Sequence, residues 1–311
     1  MKHQIAIEAF AKINIGLEIG KSRPDGYHPI LGIFHSVGIS DKIIFSRQES
    51  GGIRVEGAFD CRPENSTVYK AADLFRKRFG ISGGFKAVVE KGIPAKAGLG
   101  GGSADAAATL IALERLYGTH LAASELCAMA ACIGADVPFF LSGGAAMVSG
   151  IGDIIEPIAP RSDFGILLIH PGFGVSTKWA FAELDSFRHN GKVPLYAEDD
   201  SESLEFRKDK LLSAYTGPLE TWKFDNSFSE MLYRNFPVYD DLEKLLRKAG
   251  ALHVSITGSG SCMYGVFRSM QDTHLAEAKL KSGADEGNAE NTLYGMGLHA
   301  IKPLETSLYL G

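Results

Sequence analysis

Residues 3–20, "HQIAIEAFAKINIGLEIG", alternate apolar and polar positions with a period of two, and the pattern predicts one or two strands. "KSRPDGYHPI" follows, where Pro-Asp-Gly marks a tight turn. Further strands are expected in "HSVGISDKIIFSR" and "GGIRVEG". "NSTVYKAADLFRKRFG" reads as a helix with Asn65, Ser66 or Thr67 as its cap and Gly80 as its stop. "FKAVVEKGIP" is a strand leading into a glycine-rich loop, after which Ser103 or Asp105 is expected to cap the helix "ADAAATLIALERLYG".

Beyond that helix, "SELCAMAACIGADVPFFLSGGAAMVSGIGDIIEPI" predicts a short helix, a turn and a glycine-rich strand region. "FGILLIHPGFGVST" reads as a buried strand and turn, and residues 185–226 form a polar stretch, either a surface excursion or a charged helix. "SFSEMLYRNFPVYDDLEKLLRKAGA" reads as two helices broken at Pro237. "HVSITGSGSCMYGVF" is strand, small-residue turn, strand, and "TLYGMGLHAIKPLE" adds a last strand. Strands and helices mix without a βαβ rhythm, which points to an α+β fold, with a division into residues 1–158 and 159–311.

The loop "PAKAGLGGGSADAAATL", residues 94–110, places four glycines in five positions directly before a helix. Glycines allow close backbone approach and turn N–H groups toward an anion, and the helix start adds its dipole. The run has neither a Gly-Lys-Ser/Thr ending nor the dinucleotide-binding spacing, so it suggests phosphate binding of another kind. A tight strand-to-helix turn is the plainer alternative. On spacing alone, Lys12 is a strand-edge lysine and Asp136 a turn or cap aspartate.

Composition narrows the class. The chain has 311 residues, 45% hydrophobic and 22% charged, which suits a soluble globular protein. A net charge of −5 argues against a nucleic-acid binder. Four cysteines form no C-x-x-C pair, and nine histidines show no zinc spacing, so no metal-ligating residues are assigned. Glu8, Lys12 and Asn14 interrupt any signal-peptide core, and no apolar run is long enough to span a bilayer; a cytoplasmic protein with no membrane role is expected. Nothing in the sequence specifies an oligomeric state.

Four segments in one order carry a resemblance: "AKINIGLEIGKSRPDGYHPI", the glycine loop, "GADVPFFLSGGAA" and "ITGSGSCMYGVF". Together they resemble the GHMP small-molecule kinases, over nearly the whole chain. "AKIN" with "RPDGYH" most resembles the branch acting on a cytidine diphosphate ester of methylerythritol in non-mevalonate isoprenoid synthesis. The resemblance implies a ribosomal-protein-S5-like N-terminal domain joined to a ferredoxin-like C-terminal domain, and ATP-dependent phosphorylation of that ester's 2-hydroxyl. Mevalonate, phosphomevalonate or homoserine kinase, or a catalytically silent ATP-binding sensor, are the alternatives.

By the same resemblance Asp136 accepts the hydroxyl proton and Lys12 is the neighbouring cation. ATP, with Mg²⁺, is expected along Pro94, Lys96, Ala97, Gly98, Leu99, Gly100, Gly101, Gly102 and Ser103, with Asn65 at the adenine side. Asn14 is implied at the reacting end of the small-molecule substrate. Tyr27 and His28 are implied at its cytosine, Tyr27 by stacking and His28 by hydrogen bonds to the base, with Phe181 as second wall and Thr177 nearby. Core packing is the alternative for Phe181, and a turn-flanking aromatic and surface histidine for Tyr27 and His28. Lys96 stands where many members carry glycine, Ala104 replaces a common serine, and Asn226 is given no role.

Overall fold

The computed structural model describes residues 3–189, 201–283, 293 and 295–310. Strands β1 (Gln4–Ile19) and β2 (Ile30–Gln48) form a long antiparallel pair, Gln4 opposite Ser46 and Ile19 opposite Ile30. β3 (Ile53–Gly57) leads through a short 3₁₀ turn (Pro63–Asn65) into α1 (Thr67–Phe79). Of the three predicted caps Ser66 is the one used, its Oγ accepting from Tyr69 N–H at 3.2 Å, and Gly80 ends the helix in the left-handed region. β4 (Gly84–Glu90), α2 (Gly101–Tyr117), α3 (Ala123–Ile133), α4 (Val137–Ser142), β5 (Ala145–Ser149) and β6 (Ile154–Ile158) follow.

The second half contains β7 (Gly165–His170), α5 (Thr177–His189), α6 (Ser201–Thr216), α7 (Ser229–Asn235) and α8 (Val238–Lys248). β8 (His253–Ile256), β9 (Met263–Phe267), α9 (Met270–Gly283), β10 (Gly297–Ile301) and β11 (Leu308–Leu310) complete it. α4, α5, α9 and β11 were not anticipated. Of the polar stretch, residues 190–200 lie outside the described residues, while α6 packs Tyr215 into the core.

β11, β1, β2, β4 and β3 lie side by side in a seven-stranded sheet, in which β5 and β6 continue from the first part of β2. β3 pairs parallel with β4; every other pair is antiparallel. The last strand therefore returns to the first sheet, beside β1. The second sheet runs β10-β7-β9-β8, antiparallel throughout.

Two cores result. One packs the first sheet against α1–α4 and extends into the second half through residues of α5, α7, α8 and α9; the other, holding Ala11, Ile13 and Ile15 with Ile166, Leu168 and Tyr264, lies between the sheets. The pairing of β1 with β2 shifts register between Phe10 and Ala11, where the odd-numbered side chains pass from the first core to the second. Lys12 and Asn14, alternating with Ala11, Ile13 and Ile15, consequently sit on the opposite face, toward α2. α2 is buried on almost every side, and its alanines are what let it pass between β1, α1 and α3.

Candidate active site

The glycine loop is held by its carbonyls. Lys96 O accepts from Val175 N–H at 3.0 Å, Ala97 O from Cys262 N–H at 3.2 Å, and Gly98 O from Thr257 Oγ1 at 3.1 Å. Leu99 O accepts from Lys12 N–H at 3.0 Å and Gly100 O from Ser103 and Ala104 N–H, both at 2.9 Å. Five consecutive carbonyls are thus turned into the protein, which leaves N–H groups for the cavity on the other side. Gly98 and Gly100 both have φ of 74°, and a Cβ at Gly98 would overlap the Thr257 carbonyl oxygen. A Cβ at Gly100 would sit 2.7 Å from the Phe140 ring and 3.2 Å from Cγ of Lys12. These two glycines are required by backbone conformation and by space at once.

α2 starts earlier than expected. Gly100 is its N-cap, so neither Ser103 nor Asp105 caps it: Ser103 lies in the first turn and Asp105 is buried within the helix. Gly101 and Gly102 therefore open the helix, and their amides face the anion-binding end of its dipole. Lys96 has φ of 53°, which accounts for the glycine preferred there, and its Nζ pairs with Asp60 at 2.9 Å. Asn65 ends the 3₁₀ turn before α1, on the same cavity wall.

Lys12 is 3% exposed, so it is not a solvent-facing strand-edge lysine. Its Nζ donates to Asn14 Oδ1 at 2.7 Å, lies 4.8 Å above the Phe34 ring and stands 3.8 Å from Asp136 Oδ2. Burial lowers the Lys12 pKa, and the Asp136 charge opposes that fall without cancelling it. Asp136 begins α4 yet makes no cap hydrogen bond with its side chain, which leaves the carboxylate available to the cavity. Among the described residues Asn14 Nδ2 is a buried donor without a hydrogen-bond partner.

Several site residues had no sequence signal that separated them from ordinary polar positions. Lys91 bridges Asp41 and Asp105, with Nζ 2.8 Å from Asp105 Oδ2. The Asp105 pKa is pushed up to about 7, chiefly by burial, against the pull of the Lys91 charge, and among the described residues its Oδ1 has no partner. Asn226 donates to Ile256 O at 2.7 Å and Gly258 O at 2.9 Å, bracing the Thr257–Ser261 turn that closes over the loop. "DNSF" offered no reason to expect this, because the partners are distant backbone carbonyls.

At the other end Tyr27 is exposed and His28 buried. His28 lies against Phe181, with ring centroids 4.8 Å apart, and Phe181 packs edge-on to Phe228 at 5.1 Å. Phe181 is partly buried in the core and also borders the cavity. His28 Nε2 lies 2.9 and 3.1 Å from the two oxygens of Asp185, a residue the sequence did not single out. Thr177 opens α5, its Oγ1 3.3 Å from Ser259 Oγ of the turn.

One cavity of about 920 Å³ gathers all of these: Lys12, Asn14, Tyr27, His28, Asn65, the glycine loop, Asp136, Thr177 and Phe181 all line it. Among the described residues no three His, Cys, Asp or Glu side chains group as a metal site. Residues 66–144 match the N-terminal domain of the GHMP kinases and residues 218–286 their C-terminal domain. The 4-diphosphocytidyl-2-C-methyl-D-erythritol kinase of Treponema pallidum is 35% identical over 278 residues, covering 89% of this chain and 94% of that protein. The chain belongs to the GHMP kinase family.

The kinase of the same description from Thermodesulfovibrio yellowstonii is 33% identical over 273 residues, covering 88% of this GHMP kinase and 93% of that protein. A crystal structure of 4-(cytidine 5'-diphospho)-2C-methyl-D-erythritol kinase superposes with a TM-score of 0.74 at 28% identity, over 96% of this chain and 99% of that one. Homoserine kinase from Cytophaga hutchinsonii shares the fold, with a TM-score of 0.72 at 19% identity over 100% and 98% of the two chains. The GHMP kinase fold expected from the four segments is the fold observed. No helix among the described residues is long and apolar enough to cross a membrane.

Proposed function

We propose that this GHMP kinase transfers the γ-phosphoryl group of ATP to the 2-hydroxyl of 4-diphosphocytidyl-2-C-methyl-D-erythritol, in the non-mevalonate route to isoprenoid precursors. The observation that carries the reading is that the outward amides of the glycine loop and the Lys12–Asp136 pair line one cavity, with the Lys12 stem against Gly100. The phosphates of ATP lie along residues 97–103, with the base toward Asn65. Phosphoryl transfer asks for positioning and charge stabilisation more than for covalent chemistry, and this cavity offers both.

In the reaction the acceptor hydroxyl gives its proton to Asp136 as the oxygen attacks the γ-phosphorus in line, and ADP departs. Lys12 holds positive charge beside that oxygen in a water-poor setting, where it acts more strongly than at a surface. Asn14 Nδ2 donates to the substrate near the reacting end. Tyr27, His28 and Phe181 hold the cytosine, and Thr177 borders them. Mg²⁺ bound with ATP would supply charge neutralisation for the transferring phosphate. The carboxyl group of Asp105 and the hydroxyl of Ser103 line this wall and would hold the metal, as one or two protein ligands are enough for an ATP-bound magnesium ion.

Four free cysteines, three of them exposed, support a reducing, cytoplasmic setting. The division of the chain is placed near residue 158, between the last paired strand of the first sheet, β6, and the first strand of the second, β7, with the last strand returning to the first sheet. The test is ADP release from Mg-ATP with the cytidine ester, mevalonate, homoserine or no acceptor. Release with the cytidine ester alone supports the reading; release with another acceptor overturns its substrate.

A further inference from the structure

We propose that Asp185 is a positioning residue that fixes the tautomer of His28 and so makes the cavity select cytosine, which carries an amino group, over uracil, which carries a carbonyl in its place. The inference rests on the base-binding end assigned above. An ionised carboxylate only accepts hydrogen bonds, and both Asp185 oxygens lie within 3.1 Å of His28 Nε2. Nε2 therefore carries a hydrogen. In a neutral imidazole the second nitrogen, Nδ1, is then an acceptor, and it makes no hydrogen bond within the described residues.

The scaffold holds this arrangement from two sides. Phe181 and Asp185 are four residues apart on α5 and share one helix face, so a single element supplies both the ring under His28 and the carboxylate at its edge. One turn further, Arg188 donates to Ile19 O at 2.6 Å and Gly20 O at 2.9 Å, at the end of β1 where the loop carrying Tyr27 and His28 departs. α5 and that loop are thereby fixed relative to each other. An acceptor at Nδ1 pairs with the 4-amino group of cytosine. The 4-carbonyl of uracil would set acceptor against acceptor, and sites built on a hydrogen bond reject such analogues strongly.

The test compares wild type with Asp185→Asn and Asp185→Glu on the cytidine ester and its uridine counterpart, and reads the His28 tautomer by long-range proton–nitrogen NMR in the unliganded protein. An amide can donate as well as accept, so Asp185→Asn no longer dictates where the imidazole hydrogen sits. The expected result is an Nε2–H tautomer in wild type and a mixture in Asp185→Asn. KM for the cytidine ester should rise about tenfold, the loss of one well-placed hydrogen bond, with kcat and the KM for ATP little changed. Preference for cytidine over uridine should fall, and Asp185→Glu should restore part of it. Wild-type KM and base preference in Asp185→Asn, or an Nδ1–H tautomer in wild type, would overturn the inference. A wild-type protein that shows the Nε2–H tautomer but phosphorylates neither ester would instead overturn the proposed substrate, while the hold of Asp185 on His28 stood.

Discussion

Nζ of Lys12 stands 3.8 Å from Oδ2 of Asp136, near enough for the charges to attract and too far for a direct hydrogen bond. The ammonium spends its short bond on Asn14 instead, which leaves the Asp136 carboxylate to receive a proton. Lys12→Met should lower kcat about a hundredfold or more while nucleotide binding persists, as nucleotide titration beside steady-state kinetics will show. Because burial penalises the ammonium, the variant should melt no lower than wild type. The rate-supporting form is the charged one and its pKa is lowered, so wild-type activity should decline on the alkaline side before an ordinary lysine near 10.5 would lose its proton.

Gly98→Ala forces a Cβ into the Thr257 carbonyl at a φ that L side chains rarely adopt. The loop must shift to relieve it, and the amides facing the phosphates shift with it. Calorimetry with ATP should show binding weakened at least about tenfold, with stability down by about 1–3 kcal/mol in chemical denaturation.

Asn226→Ala removes the bonds that the side chain donates to Ile256 O, at the end of β8, and to Gly258 O, in the 257–261 turn, together with the bond it accepts from Phe228 N–H. Ser255 Oγ still donates to Ile256 O, so a loss of about 1–3 kcal/mol is expected, chiefly the cost of a buried Gly258 carbonyl without its donor. Since that turn also grips Gly98, KM for ATP should rise, which a purely peripheral defect would not produce.

His35 makes the protein acid-sensitive. Its Nδ1 lies 2.9 Å from Ser36 O while Nε2 accepts from Arg161 N–H at 3.3 Å, an arrangement only the neutral ring can make. Burial, the largest cause, lowers its pKa from 6.5 to about 4. Between those values the unfolded chain binds the proton and the folded one does not, so stability is full above 6.5 and is lost as pH falls toward 4. The whole window is worth about 3 kcal/mol. His35→Gln should flatten the dependence of Tm on pH over that range; an unchanged slope would assign it to other groups.

β1 and the turn that follows it were readable because period-two alternation and the Pro-Asp-Gly at residues 24–26 are local signals; the order of the strands in the two sheets is not carried by any local signal. α9 and β11 were not readable, since α9 has only a weakly one-sided apolar pattern and β11 gains its meaning from pairing with β1, some 300 residues away. The cavity residues carried by motifs were legible for the same reason, being neighbours in sequence. Lys91, Asp105, Asp185 and Asn226 were hidden because each acts on a partner at least fourteen residues distant, and nothing in their immediate surroundings distinguishes them from solvated polar residues. The helix cap was missed because a glycine at positive φ, held by carbonyl contacts elsewhere, displaced the side-chain cap that "GGGSAD" suggested.

The most direct test follows phosphate transfer from ATP to the cytidine ester by phosphorus NMR, comparing wild type with Asp136→Asn at equal nucleotide occupancy. The account predicts a new phosphomonoester on the 2-hydroxyl with wild type, and a rate lower by about a hundredfold or more in the variant, the contribution of a positioned proton acceptor. Transfer at the wild-type rate in Asp136→Asn, or phosphate on a different hydroxyl, would contradict it.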